Sequence, residues 1–450
     1  MSTEAISIGG KTIGKGHPVF IIAEAGVNHN GELLLAKKLI DAAFAAGADA
    51  VKFQTFDPDT LVTKSAEKAE YQVRNENRHL SGKNTPPAGD GSAPLTRGDK
   101  KEKGGETQHE MLKRLMLKRE YHPELQQYAE KKGIIFLSTP FSLSDAEFLK
   151  ELGVVAFKIG SSDTNNLPFL KTIATWGLPI ILSTGMSDLK QVREAVEAIR
   201  NPSSDRGTPL PESEFGTPLA RGDTPLPESE FGTPLARGDT PLPESEFGTP
   251  LGRGDTPLHS KTRVLPLLGE MGRIKPAPLI VLHCTTSYPA PLVEVNLRAM
   301  QTLGTELKVL VGFSDHTEGI VAPVLSVALG ATVIEKHLTL DREMAGPDHK
   351  ASLNPEQFAE MVRAVRGAES ALGTGEKHLF SSEREIAKVA RKSLVVARAI
   401  KKGEVFTAKN LTMKRPGTGL PPTKYESVIG TEALRDIPAD TVLTEDDYGA

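Results

Sequence analysis

Short apolar runs and amphipathic runs alternate along this chain. Eight runs are apolar and often β-branched: Val19–Ala23, Ala50–Gln54, Ile134–Ser138, Ala156–Ile159, Ile180–Ser183, Leu279–His283, Lys308–Gly312 and Thr332–Glu335. Strands buried on both faces read this way. Between most of them lie amphipathic stretches of ordinary helix length, among them Leu33–Ala46, Asp145–Leu152, Gln191–Ile199 and Gly319–Leu329, and Pro355–Leu372 follows the eighth run. Eight such units predict a (β/α)8 TIM barrel. A doubly wound open sheet is the alternative, but no strand precedes a Gly-rich dinucleotide fingerprint. From Lys392 to Ala450 the runs become shorter, with Gly/Pro turns between them, as in a small β-rich domain.

Two stretches interrupt the alternation. A 16-residue unit, TPLPESEFGTPLARGD, runs three times from Thr208 to Asp255 with one Ala-to-Gly change, and a related Pro/Gly/Lys-rich stretch contains Ala93–Lys100. The unit is shorter than a stacking repeat and rich in helix and sheet breakers. The expected organisation is therefore a barrel over 1–375, with low-complexity insertions at about 80–106 and 202–260. A linker over 376–390 and the small domain over 391–450 follow.

Charge changes this picture only through the repeat. The 450 residues carry a net charge of −4, yet the three units alone carry six net negative charges and leave the body slightly positive. Neither nucleic acid nor a membrane surface is an expected partner. Cys284 is the single cysteine, and the first twenty residues hold no apolar signal core, so a cytoplasmic setting is expected.

Barrel chemistry belongs at the C-terminal ends of the strands. Polar residues gather there: Glu24, Lys52 and Gln54, Thr139, Lys158 with Ser161 and Asp163, Ser183, His283, His316, and Glu335 to His337. Two lysines and several hydroxyls form an anion site for phosphate or carboxylate. His283 and His316 come from neighbouring strands and suit a divalent metal. Glu24 suits a general base or the orientation of a metal-bound water. Glu335 and His337 read instead as structural partners of Lys336 or Asp341, and His122 as a surface residue.

The motifs IIAEAGVNHNG, VKFQTF, FLSTPF, FKIGSSDTNNLP, LHCTTSYPAP, GFSDHTEG and EKHLTLDREMAGPDHKASL resemble the sialic acid (N-acetylneuraminate) synthase family. Lys392–Ala450 resembles the antifreeze-like SAF domain that ends such enzymes. The resemblance implies condensation of phosphoenolpyruvate with an N-acetylmannosamine-type sugar to a nine-carbon 2-keto acid, with release of phosphate. A legionaminic acid synthase using 2,4-diacetamido-2,4,6-trideoxymannose is the alternative, a 6-phosphorylated sugar a third option, and a non-catalytic carbohydrate-binding protein a reading of another class.

By resemblance, His283 and His316 hold a divalent cation such as Mn2+, with Mg2+ or Co2+ as alternatives, and Glu24 handles the proton. Lys52, Thr139, Lys158, Ser161 and Ser183 bind phosphoenolpyruvate. Gln54 contacts the sugar. Asp163 stands where many relatives carry Glu. Arg415, in the small domain, matches an arginine that closes on the neighbouring subunit's sugar, which implies a domain-swapped homodimer.

Overall fold

The computed structural model describes residues 4–73, 75, 106–202 and 276–449. Both insertions, apart from their edges at Glu106 and Pro202, lie outside the described residues. The chain divides into two compact units, 1–370 and 371–450.

The first unit opens with a hairpin, β1 (Ile6–Ile8) and β2 (Lys11–Ile13). Eight parallel strands follow: β3 (Phe20–Gly26), β4 (Ala50–Thr55), β5 (Ile135–Pro140), β6 (Phe157–Ile159), β7 (Ile180–Ser183), β8 (Leu279–Cys284), β9 (Leu310–Asp315) and β10 (Val333–His337). Their order is β5-β4-β3-β10-β9-β8-β7-β6, a nearly closed barrel with a seam between β5 and β6. Each strand is followed by a helix of the outer layer, from Leu33–Ala45 after β3 to Pro355–Leu372 after β10.

Successive side chains of a strand point to opposite faces, and here the two faces form two cores. Phe20, Ile22, Ala50, Leu137, Ile181, Ile280, Leu282, Leu310 and Val333 fill the barrel interior, joined by Ile8 and Ile13 of the hairpin. Outward-facing residues of the same barrel, Ile21, Val51, Phe136, Phe157, Val281, Phe313 and Ile334, pack under the helices. The interior is thus closed with hydrocarbon toward the strand starts. The next inward positions, toward the strand ends, are free for chemistry.

In the second unit, β-rich pairing surrounds a core of Leu394, Val396, Ile400, Phe406, Leu411, Val428 and Leu443. A helix, Ser381–Ala390, occupies the stretch read as a linker. Among the described residues, no helix is long and apolar enough to cross a membrane.

His122 departs from the sequence reading. It is fully buried. Its Nδ1 donates to the Lys118 carbonyl at 3.1 Å, and its Nε2 accepts from the Thr55 hydroxyl at 2.9 Å. Thr55 in turn bonds Ser138 at 2.7 Å, so the ring ties a helix start to β4 and β5. Burial holds the imidazole down at about 4, and burial likewise holds His29 at about 3. An unfolded chain takes up these protons below about pH 6.5. The unfolded state therefore binds more protons between about pH 6.5 and 4, and stability falls on acidification through that window. The urea midpoint should drop between pH 7 and 5, and His122→Gln should reduce that drop. An unchanged drop would remove His122 as a contributor.

Candidate active site

The strand ends enclose a cavity of about 530 Å³. Its floor is a buried charge network. The Lys52 ammonium pairs with Glu24 and lies 3.7 Å from Glu335. Lys158 lies 3.4 Å from the other oxygen of Glu335. All four side chains are almost fully buried. Around them Lys52 donates to Thr139 at 3.1 Å, Lys158 to Ser183 at 2.7 Å, Ser314 to Glu335 at 2.8 Å and Gln54 to Glu24 at 3.2 Å.

Alternation explains the assembly. Glu24, Lys52, Thr139, Lys158, Ser183, Ser314 and Glu335 each sit two residues beyond an interior core position, or four in the case of Ser314 on β9. They form the next inward layer.

The two carboxyls are pushed apart. Burial raises Glu24, and this outweighs the pull of Lys52. Burial also opposes ionisation of Glu335, but Lys158 and Lys52 together hold that carboxyl down at about 2. Glu335 is a fixed anion between two cations, while Glu24 can carry a proton. Burial lowers Lys158. It would also lower Lys52, but Glu24 and Glu335 prevail and raise it.

Ser161 stands at the cavity edge, bonded to Cys284 Sγ at 3.1 Å and receiving the Gly185 N–H at 3.0 Å. Asp163 is held by Ser162 and Asn166, each at 3.1 Å, and does not line the cavity. Arg415 lies exposed in the second unit, just after Leu411–Lys414.

The expected metal pair does not form. His283 follows the outward-facing Val281, stacks on Phe313 and bonds the Val295 carbonyl at 2.6 Å. It lines a separate cavity of about 430 Å³. His316 faces the main cavity, and its neighbour there is His337, with ring centroids 5.5 Å apart. His316 Nδ1 bonds the Thr285 carbonyl at 2.7 Å, which leaves Nε2 available. His337 Nδ1 is buried without a hydrogen-bond partner, 3.9 Å from Asp348. Burial lowers both rings, so both offer neutral lone pairs. An orphaned imidazole nitrogen beside a second free one fits a divalent cation. No group of three or more ligating side chains converges among the described residues, so a cation held here would take two nitrogens from the protein and its other ligands from solvent or substrate.

Glu335, His337, Ser314 and Asp348 were missed as site residues. Counting alternate residues through Val333-Ile-Glu335-Lys-His337 separates the two that face inward from the outward Lys336.

Residues 39–85, 92–210 and 261–377 match the NeuB family, and 391–448 match the SAF domain. The N,N'-diacetyllegionaminic acid synthase of Legionella pneumophila is 38% identical over 433 residues, covering 96% of this chain and 95% of the relative. The enzyme of the same name from Campylobacter jejuni is 37% identical, covering 94% and 98%. Among solved structures, the N-acetylneuraminic acid (sialic acid) synthetase of Leptospira borgpetersenii superposes with a TM-score of 0.56 at 27% identity, covering 85% of this chain and 95% of that one.

The network sets a stability prediction. Glu335→Gln leaves two buried ammonium groups without their shared anion and should cost about 3 kcal/mol or more. Ser314→Ala removes one hydrogen bond to that carboxylate and should cost about 1.5 kcal/mol. Urea denaturation at pH 7 reads both, and equal losses would contradict the bridging role.

Proposed function

The chain belongs to the NeuB family, and on that basis we propose that it condenses phosphoenolpyruvate with a six-carbon acetamido sugar aldehyde to form a nine-carbon 2-keto acid. The observation that carries this reading is the pair of buried lysines, Lys52 and Lys158, bridged by Glu335 beneath a sugar-sized cavity. Phosphoenolpyruvate brings two anionic groups, and the lysines with Thr139, Ser161 and Ser183 offer donors for both. Carbon 3 attacks the aldehyde carbon. Water then adds at carbon 2, and the tetrahedral intermediate collapses with loss of phosphate. Glu24, the carboxyl able to carry a proton, serves the water or the new hydroxyl. Glu335 stays ionised and keeps the two lysines in place.

His316 and His337 are the residues that would hold a divalent cation, Mn2+ in the first instance. When bound, the cation supplies Lewis-acid polarisation of the aldehyde oxygen. Arg415 is retained as a sugar contact offered to a partner subunit's barrel. The exposed Phe380, Ile386 and Val389 around helix Ser381–Ala390 provide apolar surface suited to such a dimer.

The sugar is read from the cavity wall. Val27, Phe56, Met111 and Leu115 form an apolar cluster that lines it, with Leu61 and Leu112 packed against them. N-acetylmannosamine presents a hydroxymethyl group at carbon 5, whereas 2,4-diacetamido-2,4,6-trideoxymannose presents a methyl. The apolar wall favours the methyl, in agreement with the two legionaminic acid synthases at 37–38% identity. An apolar pocket rejects an added hydroxyl only moderately, so kcat/KM should favour the trideoxy sugar by about 10- to 100-fold.

Phosphate release from phosphoenolpyruvate and Mn2+ with each sugar tests this. Equal or reversed preference would sink the sugar assignment, and no release with either sugar would sink the synthase reading. His337→Ala should weaken Mn2+ binding as severely as His316→Ala, while His283→Ala should leave it within about twofold. Loss of binding in His283→Ala would restore the original pair.

A further inference from the structure

The two strands that carry the imidazoles also carry a buried ion pair on their other face. Lys336 and Asp315 are direct partners in the β9–β10 register. Their side chains point away from the cavity, lie 2.6 Å apart and are both wholly inaccessible to solvent. His316 and His337 are the next residue along each strand and point inward. The ion pair also grips the backbone. Asp315 accepts the Thr317 N–H at 2.9 Å, and the Lys336 ammonium donates to the Thr317 carbonyl. Thr317 directly follows His316, whose own carbonyl accepts the Ala290 N–H at 2.9 Å.

Burying two charges is not an efficient way to stabilise a fold, since apolar residues of equal volume often do as well or better. A buried pair does enforce one register, because any slip leaves a bare charge in hydrocarbon. Here the enforced register is the one that brings two imidazoles side by side. We propose that Asp315 and Lys336 are positioning residues for the His316–His337 pair, holding the ends of β9 and β10 in the register at which both rings converge on one cation. This rests on the two-imidazole reading above.

The test titrates Mn2+ into metal-free protein, followed by electron paramagnetic resonance, with phosphoenolpyruvate affinity measured separately by calorimetry. Partners that orient metal ligands typically change affinity 10- to 100-fold. Lys336→Met and the apolar double variant Asp315→Leu/Lys336→Met should both raise the Mn2+ Kd by about that factor. Their phosphoenolpyruvate affinity, set by Lys52 and Lys158, should stay within about threefold. The double variant leaves no lone buried charge, so it decides the matter if the single variant does not fold. A folded double variant that binds Mn2+ within about twofold of the parent chain would overturn the proposal, as would a parallel loss of phosphoenolpyruvate affinity, which marks general damage. Parent protein whose Mn2+ binding survives His316→Ala and His337→Ala would instead overturn the two-imidazole reading itself.

Discussion

A strand turns every second side chain to the same face, and eight strands closing on themselves must fill one interior with those side chains. Everything chemical in this molecule follows from that constraint. The lower inward positions are taken by Ile, Leu, Val and Phe, sealed by Ile8 and Ile13 of the opening hairpin. Only the inward positions toward the strand ends border open space. Glu24, Lys52, Lys158 and Glu335 occupy such positions from four strands, and hydroxyls from three others surround them.

Four charges that close together are tolerable only because they alternate in sign. Glu335 lies beside both lysines and Lys52 beside both carboxyls, while one oxygen of each carboxyl accepts from Gln54 or Ser314 and each ammonium donates to a hydroxyl. The arrangement is asymmetric: one carboxyl is flanked by two cations and stays ionised, while the other is dominated by desolvation. Environment alone thus separates a structural anion from a proton carrier. The rest of the barrel makes this possible, because a rigid apolar floor keeps water from relaxing the charges.

The strands were legible because parallel strands buried on both faces must be apolar, and eight of the expected site residues line the cavity because they follow those strands at their C-terminal ends. Those that were misplaced fail on a finer scale. His283 and His337 both look like strand-end histidines, yet one follows an outward Val281 and the other an inward Glu335. Position relative to a strand end is visible in the motif; the face is visible only after alternate residues are counted back into the core. His122 escaped for another reason. Its helix is polar overall, and only the hydroxyl of Thr55, some 67 residues earlier, reveals that the first turn is buried. Asp348 lies on a loop after β10, where no periodicity applies.

The long insertion between β7 and β8 shows where such a barrel has slack. The insertion at about 202–260 lies in sequence between strands that pair in register from Ile180 against Leu279 to Ser183 against Leu282. The described residues resume at Pro276, just ahead of the start of β8, and the strand starts are the end sealed with hydrocarbon. At the opposite end the same two strands leave no room at all: a Cβ on Gly185 would lie 2.0 Å from Thr286 Oγ1 and 2.8 Å from Cys284 Sγ. Packing this tight leaves no room for even one added methyl group where β7 and β8 end, whereas the repeats lie in the stretch of sequence that leads to the start of β8.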